Sequence, residues 1–208
     1  MFSTNIQDDW VFVEHADLLP FLSADTWECA LSTDHFTPEL RHPSSILTDA
    51  ICRELSPYLP ARAQASPWCR IYSTQQDGYS LRNMYHKVRD IESPALLLVK
   101  DVRGHIFGAI TSSVPRVHQS FCGNGESCVF SFSPTLKVWQ WCNENNYNIM
   151  KGSTDWMAIG CGSGAFALWL DSDLNRGRTE TCGTYRNQPL CDCGDFLVET
   201  IEVWTFGV

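Results

Sequence analysis

The residues of this chain that could do chemistry fall into four groups, and each has a plainer reading beside the chemical one. Gly123-Asn124-Gly125-Glu126 sets two glycines before a carboxylate. Backbone N–H groups at such a place can form an anion-binding nest, or the turn can present Glu126 as a contact. Two glycines ahead of a strand also make an ordinary turn with positive φ. Asp171-x-Asp173 begins like a calcium loop, but position six of that loop is Arg176 and position twelve is Cys182. The required glycine and closing glutamate are therefore both missing, and the two aspartates are expected to lie exposed or to cap the turn at Gly177.

Cysteine chemistry is the third group. Cys182, Cys191 and Cys193 cluster in sequence, but the close pair is C-x-C and no histidine follows it. Structural zinc favours wider pairs, so a metal site is not expected and redox sensing by an exposed thiol is the alternative. The last group is catalytic. All six histidines lie at or before His118, and no G-x-S-x-G elbow is present. Ser73, Ser80, His86, His105, His118 and Glu126 could converge only through the fold. No catalytic residue, metal or cofactor is expected. Gly160-x-Gly162-x-Gly164 lacks both the dinucleotide fingerprint's spacing and the lysine of a P-loop, so it reads as a bend where backbones approach closely.

The elements that must position these groups follow from pattern. Residues 1–44 hold eight acids and one base, Arg41, whereas the remaining 164 residues hold 16 acids and 14 bases. The first 42 residues also carry Trp10, Phe12, Leu18, Phe21 and Trp27. They read as an acidic arm, docked or partner-binding, ahead of a domain at 43–208. A net charge of −9 with no basic stripe argues against nucleic acid and anionic membrane. The longest apolar run, at 94–99, is far too short to span a bilayer, and the first 30 residues lack the features of a secretory signal. A cytoplasmic, monomeric protein with reduced thiols is the expectation; most of its ten cysteines sit in apolar context.

Ser45 is placed to cap a first helix with Ile46, Leu47, Ala50, Ile51, Leu55 and Tyr58 on one face, ended by Pro57 and Pro60. Residues 61–66 read as a loop and 68–73 as a strand. Asp77-Gly78-Tyr79 makes a turn, after which Ser80 caps a helix carrying Leu81, Met84, Tyr85 and Val88. Strands are then predicted at 95–100, 106–112, 128–133, 137–142, 157–160, 165–170 and 200–206, the last alternating Ile201, Val203 and Thr205 against Glu202, Trp204 and Phe206. Helices followed by a run of short strands predict an α+β fold, an antiparallel β-sandwich flanked by a few helices.

The strings themselves resemble a known family. Ile106-Phe107-Gly108-Ala109, Phe121-Cys122-Gly123-Asn124-Gly125-Glu126, Phe130-Ser131-Phe132-Ser133-Pro134 and Lys137-Val138-Trp139-Gln140-Trp141 come in the order of the TLDc signature. Ile71-Tyr72-Ser73 with Gly78-Tyr79-Ser80-Leu81 matches its opening, and Glu202-Val203-Trp204 its ending. Within the family the chain is most similar to the oxidation resistance and nuclear receptor coactivator seven group. It departs from the pattern at Cys122 and Asn124, where tyrosine and threonine are usual, and at 182–187.

The resemblance implies the TLDc fold, a protein-binding rather than catalytic role, resistance to oxidative stress, and association with the vacuolar proton-pumping ATPase. It implies a cytoplasmic location, with nuclear or endolysosomal-peripheral placement through the partner. The arm, the turn at 123–126 with Gly123, Gly125 and Glu126, and the pair Asp171 and Asp173 are the expected contact surfaces. Direct thiol chemistry is the alternative function, and a hydrolase the third.

Overall fold

A computed structural model describes residues 37–143 and 149–207, apart from Ser133. Residues 1–36, most of the predicted arm, lie outside the described residues. Glu39 to Arg41 run beside Trp68, whose N–H donates to the Glu39 carbonyl at 2.8 Å and whose carbonyl accepts from Arg41 N–H at 3.0 Å.

The first helix, α1, spans Asp49–Leu55 and begins later than the sequence predicts. Its cap is Thr48, whose side chain accepts from the Ile51 N–H, and not Ser45. Ser45 is engaged elsewhere: its N–H and hydroxyl both donate to the Glu202 carboxylate, at 2.9 and 3.0 Å. Ile46 and Leu47 are buried ahead of the helix by a turn in which Ser44 Oγ accepts from both their N–H groups. The predicted apolar face is narrower than expected, since Ala50 and Tyr58 are exposed and Cys52 and Leu55 carry the packing. A 3-10 turn over Ser56–Tyr58 takes the place of the predicted end of the first helix, and a four-residue helix, α2 (Ala61–Gln64), occupies most of the predicted loop.

Strand β1 (Trp68–Ser73) leads into α3 (Thr74–Asp77) and then α4 (Leu81–Val88). Ser80 caps α4 as predicted, accepting from Asn83 N–H at 3.3 Å, and Leu81, Met84 and Val88 are buried. The strands that follow are β2 (Ala95–Asp101), β3 (Ile106–Thr111), β4 (Cys128–Phe132), β5 (Leu136–Gln140), β6 (Met150–Gly152), β7 (Trp156–Ile159), β8 (Leu168–Asp171), β9 (Arg176–Arg178) and β10 (Asp195–Phe206). All named pairings are antiparallel.

β10 joins two sheets. Residues 195–197 pair with β9 and so with β8, β7 and β6 in turn, whereas the strand from Val198 onward pairs with β2, with β3, β4 and β5 beyond, and from Glu202 onward also with β1. Register shifts interrupt both long pairings, between Arg70 and Tyr72 and between Val198 and Thr200, and such bulges bend a strand. Between the sheets Val99, Phe107, Val129 and Ile201 pack with Met157, Ile159 and Leu170. On the other face of the first sheet, Leu96, Leu98, Phe130 and Trp204 pack with Cys52, Leu55 and Trp68. The result is an α+β fold, a sandwich with helices flanking it.

The predicted alternation of the last strand is real, but it does not separate core from solvent. Ile201 and Val203 enter one core, Trp204 and Phe206 the other, and Glu202 is buried between Trp204 and the chain before α1. Its carboxylate accepts from Ser44 Oγ at 2.5 Å and Trp204 Nε1 at 3.0 Å, with Arg70 Nη1 at 3.4 Å. A buried charge survives only when its oxygens are satisfied in this way.

Candidate functional site

The 123–126 turn is fixed from three sides. Cys122 makes an isolated antiparallel bridge to Met150, with N–H to carbonyl distances of 2.8 and 3.0 Å. Gly123 has φ +108, and a Cβ there would meet the Ile149 side chain at 2.9 Å. Gly125 lies flat on Trp141, whose ring would be 2.3 Å from an added Cβ. Gly123 is therefore required by its positive φ as well as by packing, whereas Gly125 is required by packing alone.

The turn does not form an open anion nest. Asn124 N–H donates to Ser112 Oγ at 3.2 Å, Glu126 N–H to Asn124 Oδ1 at 3.0 Å, and Ser127 N–H to the Asn124 carbonyl at 3.3 Å. What it presents is the Glu126 carboxylate, which accepts from Arg62 Nη1 at 2.8 and 2.6 Å and from Asn124 Nδ2 at 3.3 Å. The Arg62 hydrogen bond holds the Glu126 carboxyl below the usual carboxylate range. Arg62, on α2, was invisible as a partner because 64 positions separate the two residues. A cleft of about 360 Å³ opens beside them, lined in part by Arg62, Ser112, Arg116, His118 and Cys122. Burial pushes the Cys122 thiol up, with Arg116 opposing.

Asp171 caps the β8–β9 turn: its Oδ1 accepts from Asn175 N–H at 2.9 Å and Arg176 N–H at 3.2 Å. Asp173 is exposed. No cluster of three or more histidine, cysteine or acidic residues fit to hold a metal occurs among the described residues.

The three cysteines do not form one group. Cys182 is buried against Gly160 and Tyr185, and burial pushes its thiol up. Cys191 is buried, its thiol pushed up to about 11 by desolvation, and its Sγ donates to the Cys193 carbonyl at 2.9 Å. Cys193 is half-buried, with Arg103 Nη1 2.8 Å from its sulfur. Gly162 packs backbone to backbone against Gly183, where a Cβ would meet the Gly183 nitrogen at 2.6 Å, as a close-approach bend requires.

Nor does the fold join the scattered catalytic candidates by hydrogen bonds among the described residues. Ser80 is a helix cap, Ser73 is buried with its hydroxyl unpartnered, and His86 and His118 are exposed. His105 sits between two carboxylates, Asp101 Oδ2 at 2.8 Å from Nδ1 and Asp192 Oδ2 at 3.2 Å from Nε2. The Asp101 hydrogen bond raises its pKa.

A larger groove, about 780 Å³, opens where the β2–β3 turn meets the start of β10. Arg103, Trp169, Arg176, Arg178 and Leu197 are among its walls. Four separated segments supply them, which is why no local motif announces it.

The model of the TLDc domain matches residues 40–207. Oxidation resistance protein 1 of Homo sapiens is 38% identical over 181 residues, covering 87% of this chain and 21% of the relative. Nuclear receptor coactivator 7 of Gallus gallus is 41% identical over 169 residues, covering 81% and 18%. The chain thus spans about a fifth of the length of the curated relatives it matches.

Proposed function

This chain belongs to the TLDc domain family, and from that premise we propose that it is a non-catalytic protein-interaction module of the oxidative-stress response that binds the vacuolar proton-pumping ATPase. The support for the role is the membership itself, shared with oxidation resistance protein 1 and nuclear receptor coactivator 7. The support for a binding mechanism is one observation: the Glu126 carboxylate stands on a turn locked by Cys122, Gly123 and Gly125, already oriented by Arg62. A carboxylate whose position is fixed before contact loses little entropy on binding, so it suits recognition. In this reading the protein acts as a cytoplasmic monomer without cofactor, and reaches endolysosomal membranes through its partner. Among the described residues no helix is long and apolar enough to cross a membrane.

The test is recovery of vacuolar ATPase subunits on the purified chain, read by mass spectrometry, beside Glu126→Gln and Arg62→Ala. The expected result is recovery by the native chain and marked loss with either variant. Absence of pump subunits from the native sample would sink the reading.

A second reading, thiol-based redox sensing, is favoured by the geometry at Cys193, which is only half-buried and has Arg103 Nη1 2.8 Å from its sulfur. Timed labelling of the native protein with an aromatic disulfide, located by peptide mapping, separates the two. If Cys193 labels no faster than the buried Cys128, whose thiol burial pushes up to about 12, the redox reading is lost.

A further inference from the structure

The outward face of β8, β9 and the start of β10 carries an unusual surface. Across the β8–β9 pairing Trp169 stands opposite Arg178, and across the β9–β10 pairing Arg178 stands opposite Asp195 and Arg176 opposite Leu197. The tip of the β2–β3 hairpin is tied to this face, since Val102 N–H donates to the Leu197 carbonyl at 3.0 Å. Val102 and Leu197 are 57% and 52% exposed, two adjacent large apolar side chains left in water beside the half-exposed Trp169. Isolated exposed leucines need no explanation, but neighbouring ones on the rim of a 780 Å³ groove do.

Three arginines and three acidic residues line the same groove, and they are unequally paired. Arg178 is satisfied by Asp195, at 2.7 and 3.4 Å, with Glu180 adding to its field. The Asp101 carboxylate is taken up by His105 and by the N–H groups of Arg103 and His105. That leaves Arg103, whose guanidinium lies against Cys193 Sγ, and Arg176, neither of which makes an ion pair among the described residues, against the single remaining carboxylate of Glu180. Two arginines with no carboxylate partner among the described residues therefore flank a tryptophan and two exposed aliphatic side chains. Tryptophan and arginine are the residue types that dominate binding energy at protein interfaces, and an arginine fork is matched by a carboxylate.

We propose that this groove is a docking site for an acidic peptide segment of a partner protein, with carboxylates on Arg103 and Arg176 and apolar side chains on Val102, Leu197 and Trp169. The proposal rests on the reading of the chain as a protein-interaction module and gives that module a surface separate from the Glu126 turn. Charge complementarity selects the occupant: a basic segment would leave both guanidiniums facing like charge, and a purely apolar one would strand them.

The test titrates the full chain with a short synthetic peptide alternating Glu and Asp with Leu and Phe, followed by calorimetry. A counterpart keeps the Leu and Phe and carries Lys in place of the acids. The acidic peptide is expected to bind and the basic one not. Arg176→Glu and Leu197→Ser each are expected to weaken binding about tenfold, near 1.4 kcal/mol, while Arg176→Lys retains most of it. Both positions are exposed, so folding is expected to survive, checked by the thermal melt. Equal binding of the two peptides, no binding of the acidic one, or unchanged affinity in Arg176→Glu would each overturn the docking site. Pump recovery is a separate readout: its failure removes the proposed partner and leaves the peptide result standing, and the reverse combination removes only the groove.

Discussion

The two halves of β10 are one continuous strand with opposite duties. Residues 195–199 alternate exposed and buried, one face packing Phe196 on Phe107 and the other lining the groove. Residues 200–206 are buried on both faces, with β1 and β2 on either side. The same backbone thus gives a half in which side chains are free to serve recognition, and a half in which nearly every atom is committed to two cores. Burial on the second face, rather than strand propensity, makes the difference.

The contrast is broken most forcefully at Glu202. Replacing it by Ala removes the acceptor of Ser44, Ser45 and Trp204 and leaves the Arg70 guanidinium, 8% exposed, without its carboxylate. A loss of about 3–5 kcal/mol is expected in urea denaturation, with Glu202→Gln recovering a part. If Glu202→Ala cost less than Leu197→Ser, the division of the strand would be wrong.

Next comes Gly177→Ala, opposite Phe196. An added Cβ would lie 2.2 Å from the Phe196 ring and 2.8 Å from the Trp169 carbonyl, so a loss of about 1–3 kcal/mol is expected by the same measurement. This probes the buried face of the exposed half, and a neutral outcome would mean that half packs loosely on both sides.

A smaller effect is expected at His105, beside the groove. Its folded pKa is raised, first by the Asp101 hydrogen bond, so its stabilising contribution is fully present below the unfolded histidine pKa and is lost as pH rises through the folded value. The native chain should therefore lose more stability than His105→Gln does between mildly acidic and mildly alkaline pH. Parallel pH profiles for the two would show that the Asp101–His105 contact contributes nothing. Smallest of all is Leu197→Ser, expected to change folding stability by no more than about 0.5 kcal/mol while affecting peptide binding, as checked by paired denaturation and calorimetry.

Much of this fold was legible in the residues. The bounds of β1, the Ser80 cap and the β2–β3 hairpin follow from local pattern. Two strands escaped. Met150–Gly152 is only three residues long, and Arg176–Arg178 centres on a glycine, which reads as a turn until Phe196 is seen packed above it. Ser45 was a sound cap by residue type. Its diversion to Glu202, 157 positions away, is a tertiary contact that no window can contain. The Glu126 turn announced itself through its glycines, whereas Arg62 and the groove did not, because their parts meet only after the sheets close.

β10 also has a kinetic consequence. Thr205 Oγ1 donates to the Cys69 carbonyl across 136 positions of chain, and this is typical of the β1–β10 pairing. The β1–β10 pairing joins segments that far apart in the chain, and the entropy lost in bringing them together is not offset until many contacts form together. Topologies of this kind place refolding toward milliseconds to seconds rather than microseconds. Trp68 and Trp204, two of the chain's eight tryptophans, are both buried at this pairing, so a variant that keeps only these two would time the event by fluorescence.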